Sequence, residues 1–67
     1  VIVLNGEPRE RGADEPVASI LELLGLGVEA RGVAVAVDGE VVPRAGWSTF
    51  RIPEGARVEV LTAMQGG

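Results

Sequence analysis

Val1-Ile2-Val3-Leu4-Asn5-Gly6-Glu7 opens the chain with an apolar, largely β-branched run that breaks at Asn-Gly. Asn-Gly is the preferred pair for a two-residue type I′ turn, whose backbone twist matches that of the strands it joins. The stretch predicts a strand over 1–4 and a returning strand over 7–11. Pro8 places the second strand at a sheet edge, because proline has no amide hydrogen for a ladder.

Beyond this hairpin, residues 12–14 read as a loop. Asp14 or Glu15 can cap a helix, and Pro16 fits its first turn, where no amide donor is needed. Val17, Ile20, Leu21 and Leu24 then fall at i, i+3, i+4 and i+7, one apolar stripe of a helix over 16–24. Ser19 and Glu22 fall on the wet side, and Gly25 stands where a left-handed C-terminal cap is expected. Residues 26–32 are a connection with Glu29 and Arg31 exposed.

Val33, Val35 and Val37 alternate with Ala34 and Ala36, the period of a strand. The valines face the helix, and the alanines leave a smooth outer face for another protein. Asp38-Gly39 turns the chain, and Val41-Val42 continues briefly before Pro43. Asp38 and Glu40 read as solvated acids flanking a turn. Residues 43–49 are irregular, with Trp47 as a lid on the core, and Phe50 and Ile52 as apolar anchors. Pro53-Glu54-Gly55-Ala56 is a turn, with glycine where positive φ is tolerated. The last strand covers 57–63, with Val58 and Val60 inward and Leu61 and Ala63 outward.

Strand, strand, helix, strand, short strand, strand is the order of an α+β protein with one helix across a mixed sheet. The first and last strands should lie side by side. This is the ubiquitin-like β-grasp arrangement, here a single domain over 1–67 whose last strand projects a flexible tail, 64–67, away from the body.

Composition narrows the function classes. The chain has 67 residues and no cysteine, so neither a disulfide nor a thiolate metal site is available. All six basic residues are arginine, and histidine, lysine and tyrosine are absent as well. The usual nucleophile–base pairs cannot be assembled. We therefore expect no catalytic residues, no metal site and no bound cofactor. A net charge of −4 disfavours nucleic acid, which needs a basic face. No apolar run approaches the ~20 residues of a membrane span, so a cytoplasmic protein without membrane contact is expected.

The tail ends in Gly66-Gly67. Two residues without side chains suit a thread that enters a narrow channel and presents its α-carboxylate to another enzyme. Ala34, Ala36, Leu61 and Ala63, with Met64 at their edge, form the candidate docking patch for that enzyme.

The chain also resembles the ThiS family of sulfur carriers of thiamin biosynthesis over nearly its whole length. The shared pieces are Leu4-Asn5-Gly6-Glu7, Leu23-Leu24-Gly25-Leu26, and Val35-Ala36-Val37-Asp38-Gly39-Glu40-Val41-Val42-Pro43-Arg44 with Trp47. Glu54-Gly55-Ala56-Arg57-Val58-Glu59-Val60 follows, leading into Ala63 and Gly66-Gly67. The Val-Pro-Arg segment with its tryptophan is the most specific. Asp38 stands where the family often has Asn, and makes the same turn. The resemblance implies that an adenylyltransferase of the ubiquitin-activating (ThiF) type, supplying ATP and Mg²⁺, adenylates Gly67. A persulfide donor then leaves a thiocarboxylate there, and a thiazole synthase of the ThiG type takes the sulfur. Two other readings stay open: a carrier for molybdopterin or tRNA thiolation or a protein modifier, and a β-grasp interaction module with an incidental Gly-Gly end.

Overall fold

The fold is taken from a computed structural model of the chain, which describes residues 1–27 and 31–63. The strands β1 (Ile2–Leu4) and β2 (Glu7–Arg9) form the expected hairpin, with Leu4 opposite Glu7. Asn5 and Gly6 carry φ of 49° and 84°, the double positive φ of a type I′ turn. Asp38 and Gly39 repeat this with 51° and 84°, closing the hairpin of β3 (Val33–Val37) and β4 (Glu40–Val42). The last strand, β5 (Arg57–Thr62), lies between the two hairpins. It runs parallel to β1 and antiparallel to β3, so the sheet order is β2-β1-β5-β3-β4. Pro8 is at an edge, as its missing donor requires. The second strand stops at Arg9, two residues earlier than the sequence suggested.

One face of the sheet carries the core. Leu4, Val58 and Val37 align across β1, β5 and β3, and Val60, Val35 and Val42 align across β5, β3 and β4. All six are buried beneath the helix α1 (Val17–Leu23), which contributes Val17, Ile20 and Leu21. Leu24 and Val33 are only half-buried at the rim. The helix ends in a Schellman arrangement: Leu26 N–H donates to the Leu21 carbonyl at 2.7 Å and Gly25 N–H to the Glu22 carbonyl at 3.0 Å. Gly25 carries the left-handed φ of 81° that this ending demands.

The start of the helix departs from the sequence reading. Pro16 is the N-cap and neither Asp14 nor Glu15 caps with its side chain. The loop after β4 does so with main-chain carbonyls. Val17 N–H donates to the Phe50 carbonyl at 3.1 Å, and Ala18 N–H to that of Trp47 at 2.8 Å. A partner distant in sequence thus satisfies the orphan donors of the first turn. Glu15 instead accepts from Arg11 at 3.1 Å and from the Gly12 amide at 3.2 Å. The Arg11 hydrogen bond, then that of Gly12, holds its carboxyl below the usual carboxylate range.

Residues 43–49 are also more regular than expected, because Arg44–Gly46 forms one 3₁₀ turn. This turn brings Trp47 back over the core, where it is buried and donates its Nε1–H to the Val42 carbonyl at 2.9 Å. The Arg44 guanidinium lies 4.6 Å from the centre of the Trp47 ring. Val42-Pro43-Arg44 and Trp47 are thus one packing unit that closes the core and caps the helix. Phe50 does not anchor the core: the residue is 36% exposed, and its carbonyl is what the fold uses. Ile52 is fully buried, as expected.

Candidate functional site

Alternation along β5 sends Arg57, Glu59 and Leu61 to the face opposite the helix. Leu61 is 68% exposed and lies directly across from Ala34, which is exposed as well. Ala36 sits in the next row on the same face, between Glu59 of β5 and Val41 of β4, and is half-buried. Ala63, exposed, follows the end of β5 and donates its N–H to the Gly32 carbonyl at 2.6 Å. The structure therefore brings Ala34, Ala36 and Leu61 together on one face and places Ala63 at its end. Met64, Gly66 and Gly67 lie outside the described residues.

Reading the sequence alone misses one member of this face. Val41, 71% exposed, is its most accessible large apolar residue. The Val41-Val42 doublet held the signal. Only one of two adjacent strand residues can face the core, and Val42, paired with Val35, is the buried one. A sheet with one wet face normally alternates apolar in, polar out. Here β3 and β4 put Ala34, Ala36 and Val41 on the outer side, with Leu61 beside them. Small alanines between two protruding aliphatic side chains make a shallow surface that a complementary apolar surface can meet closely. Glu59 and Arg57 supply charge along its β5 side.

Leu61→Arg tests this face. At 68% exposure the substitution leaves the fold within about 0.5 kcal/mol of the parent. Binding to an adenylating enzyme is expected to weaken by about 2 kcal/mol or more, the scale of an interface hot spot. A titration beside a melting curve measures both. Unchanged affinity removes Leu61 from the docking surface.

Among the described residues no group of three or more His, Cys, Asp or Glu could hold a metal ion. No helix among them is long and apolar enough to cross a membrane. Every buried side-chain polar atom described has a hydrogen-bond partner.

Known proteins share the sequence and the fold. The model of the ThiS family matches residues 2–67. A protein named thiazole synthase, from Paramagnetospirillum magneticum, is 33% identical over 66 residues. The match covers 98% of this chain but spans only 20% of that protein's length. A crystal structure of the thiamine biosynthesis protein ThiS from Geobacter metallireducens superimposes with a TM-score of 0.76 at 32% identity, covering 98% of this chain and 97% of that one. A solution structure of a thiamine biosynthesis protein from the same organism gives 0.74 at 31% identity, covering 98% of this chain and 86% of that one. The mixed sheet with one helix is thus the ubiquitin-like β-grasp fold of these neighbours.

Proposed function

Because the chain belongs to the ThiS family, we propose that it carries sulfur as a thiocarboxylate on Gly67 for the thiazole ring of thiamin. The observation that carries this reading is the extent of the family match, which runs through Gly66 and Gly67. A sulfur carrier in thiamin biosynthesis is what the family and the solved neighbours support; the steps at Gly67 are the finer part of the proposal.

The Gly67 carboxylate oxygen attacks the α-phosphorus of ATP on an adenylating enzyme, and pyrophosphate leaves. The acyl-adenylate turns an unreactive carboxylate into an electrophile. The terminal sulfur of a persulfide attacks its carbonyl carbon and displaces AMP, giving an acyl disulfide. A thiol then cleaves the sulfur–sulfur bond, leaving the thiocarboxylate on Gly67 and a disulfide behind. Partners supply every catalytic group, the ATP and the Mg²⁺. This chain supplies the carboxylate, the side-chain-free approach of Gly66, and the docking face of Leu61, Ala34, Ala36 and Val41, with Ala63 at its end and Met64, next in sequence, as a further proposed contact. The likeness to one segment of a protein named thiazole synthase supports such an enzyme as the partner that takes the sulfur.

Intact mass of the protein purified from its native host tests the proposal. One oxygen replaced by sulfur at a chain ending in Gly67 is the expected result. A native chain continuing past Gly67 without processing has no carboxylate there, and the proposal fails. A thiocarboxylate formed in cells that make thiamin without this protein moves the chain to another thiolation pathway.

A further inference from the structure

We propose that Asn5 is a positioning residue whose side-chain amide replaces the strand that β5 lacks beyond Val58, and so fixes where the chain leaves the sheet toward Gly67. The proposal deepens the carrier reading and rests on it for its effect on adenylation.

The even-numbered residues of β5 turn their main-chain groups toward β1. Asn5 N–H donates to the Val58 carbonyl at 2.8 Å, and Val3 N–H to that of Ala56 at 2.9 Å. If β1 ran on as a parallel partner, the Asn5 carbonyl would take the Val60 amide and the amide two residues later would serve the Val60 carbonyl. The chain instead turns away, with Asn5 and Gly6 at φ of 49° and 84°. The Asn5 side chain makes both missing bonds itself: Val60 N–H donates to Oδ1 at 2.8 Å, and Nδ2 donates to the Val60 carbonyl at 3.3 Å. A primary amide presents a donor and an acceptor side by side, as a stretch of strand does. On the opposite flank β5 is held by β3 as far as Ala63, whose N–H reaches the Gly32 carbonyl at 2.6 Å. The exit is thus gripped from both sides, by Asn5 and by Gly32.

Turn geometry alone does not ask for asparagine. Glycine and aspartate also tolerate positive φ at a turn of this type. Glycine offers no amide, and an aspartate carboxylate offers Val60 only acceptors. The amide is the one choice of the three that makes both bonds at neutral pH.

The experiment compares the parent with Asn5→Gly and Asn5→Asp in two measurements. One is hydrogen exchange of the Ala63 amide in the free protein, read relative to the parent at each pH. The other is ATP–pyrophosphate exchange with the cognate adenylating enzyme. Asn5→Gly keeps the turn and loses the clip, so the Ala63 amide should exchange about tenfold faster. KM for the carrier should rise about tenfold with kcat unchanged, since the order lost in the free protein must be restored on binding. Asn5→Asp can still accept from the Val60 N–H but sets a carboxylate against the Val60 carbonyl. At neutral pH its Ala63 amide should therefore exchange faster than the parent's and no faster than that of Asn5→Gly. It should regain Ala63 protection as the new carboxyl is protonated near pH ~4, because the neutral acid can donate to the Val60 carbonyl and still accept from its amide. A general loss of stability would not reverse in that direction. Parent-like protection and KM in Asn5→Gly, or no return of protection in Asn5→Asp at low pH, overturns the proposal. Should Asn5→Gly fail to fold, the two pH values within Asn5→Asp decide it. If the parent itself gives no ATP–pyrophosphate exchange, the carrier reading falls, and Ala63 protection still decides whether the clip exists.

Discussion

Deletion of Gly67 is expected to lower ATP–pyrophosphate exchange by more than about 100-fold while leaving the melting curve in place. Glycine has no side chain to bury, and terminal changes normally stay within about 0.5 kcal/mol. The chemistry is far less tolerant. Removing one residue draws the carboxylate back by up to ~3.6 Å along an extended chain. A misplacement of ~1 Å can already cost about 100-fold in a reaction that depends on in-line approach. Gly66→Val keeps the reach but adds a β-branched side chain where the channel is expected to admit none, and should fail as completely. Each variant is assayed with the cognate adenylating enzyme beside a thermal melt. Normal exchange by both would leave the Gly-Gly end without a function and favour an interaction module.

The largest stability effect is expected at Gly12. This residue is buried at φ of +114°, a conformation that side chains rarely adopt. A Cβ there would stand 2.6 Å from the Ile2 Cδ1 and 2.8 Å from the Ile20 Cδ1, both side chains fully enclosed in the core. Gly12→Ala therefore combines backbone strain of about 1–3 kcal/mol with overpacking of about 1–3 kcal/mol. Against the roughly 0.05–0.15 kcal/mol per residue that a small domain has in hand, the sum takes a large share of total stability. At about 4–8 °C per kcal/mol, the melting temperature should fall by at least about 8 °C. Gly55→Ala is the control, since its φ is +80° but nothing lies within 4 Å of the added carbon. It should lose roughly 1–2 kcal/mol, the strain alone. Equal losses at both positions would mean that Ile2 and Ile20 move aside without cost.

What the sequence disclosed and what it withheld divide along sequence distance. Asn5-Gly6, Asp38-Gly39 and Gly25 each specify a backbone turn locally, through residues that tolerate positive φ, so hairpins and helix end were legible. So was the strip of Val33, Val35 and Val37, because alternation is a local pattern. The helix cap was misread because its acceptors come from Trp47 and Phe50, about thirty residues downstream. Phe50 was misread for the same reason: its composition suggested burial, whereas its position was set by the carbonyl it lends to Val17. The outer apolar face was legible as Ala34, Ala36, Leu61 and Ala63, and incomplete without Val41, whose orientation depends on pairing with β3. Asn5 was visible as a turn former. Its grip on Val60 spans 55 positions and needs the parallel pairing of β1 and β5 before it can be seen.

That parallel pairing governs how the molecule is built. Among the described strands β5 is the last in sequence and the middle one in the sheet, where β1 and β3 meet only through it. Before it arrives, the protein consists of two hairpins and a helix, and an isolated two-stranded hairpin is at best marginally stable in water. Such non-local closure slows folding, because the loop entropy is spent before the contacts form. It also makes folding a test of completeness. A nascent or proteolysed chain that stops short of Arg57 has no centre for its sheet and stays open to proteases, so the native body is reached only by chains that have already made the strand leading to the tail.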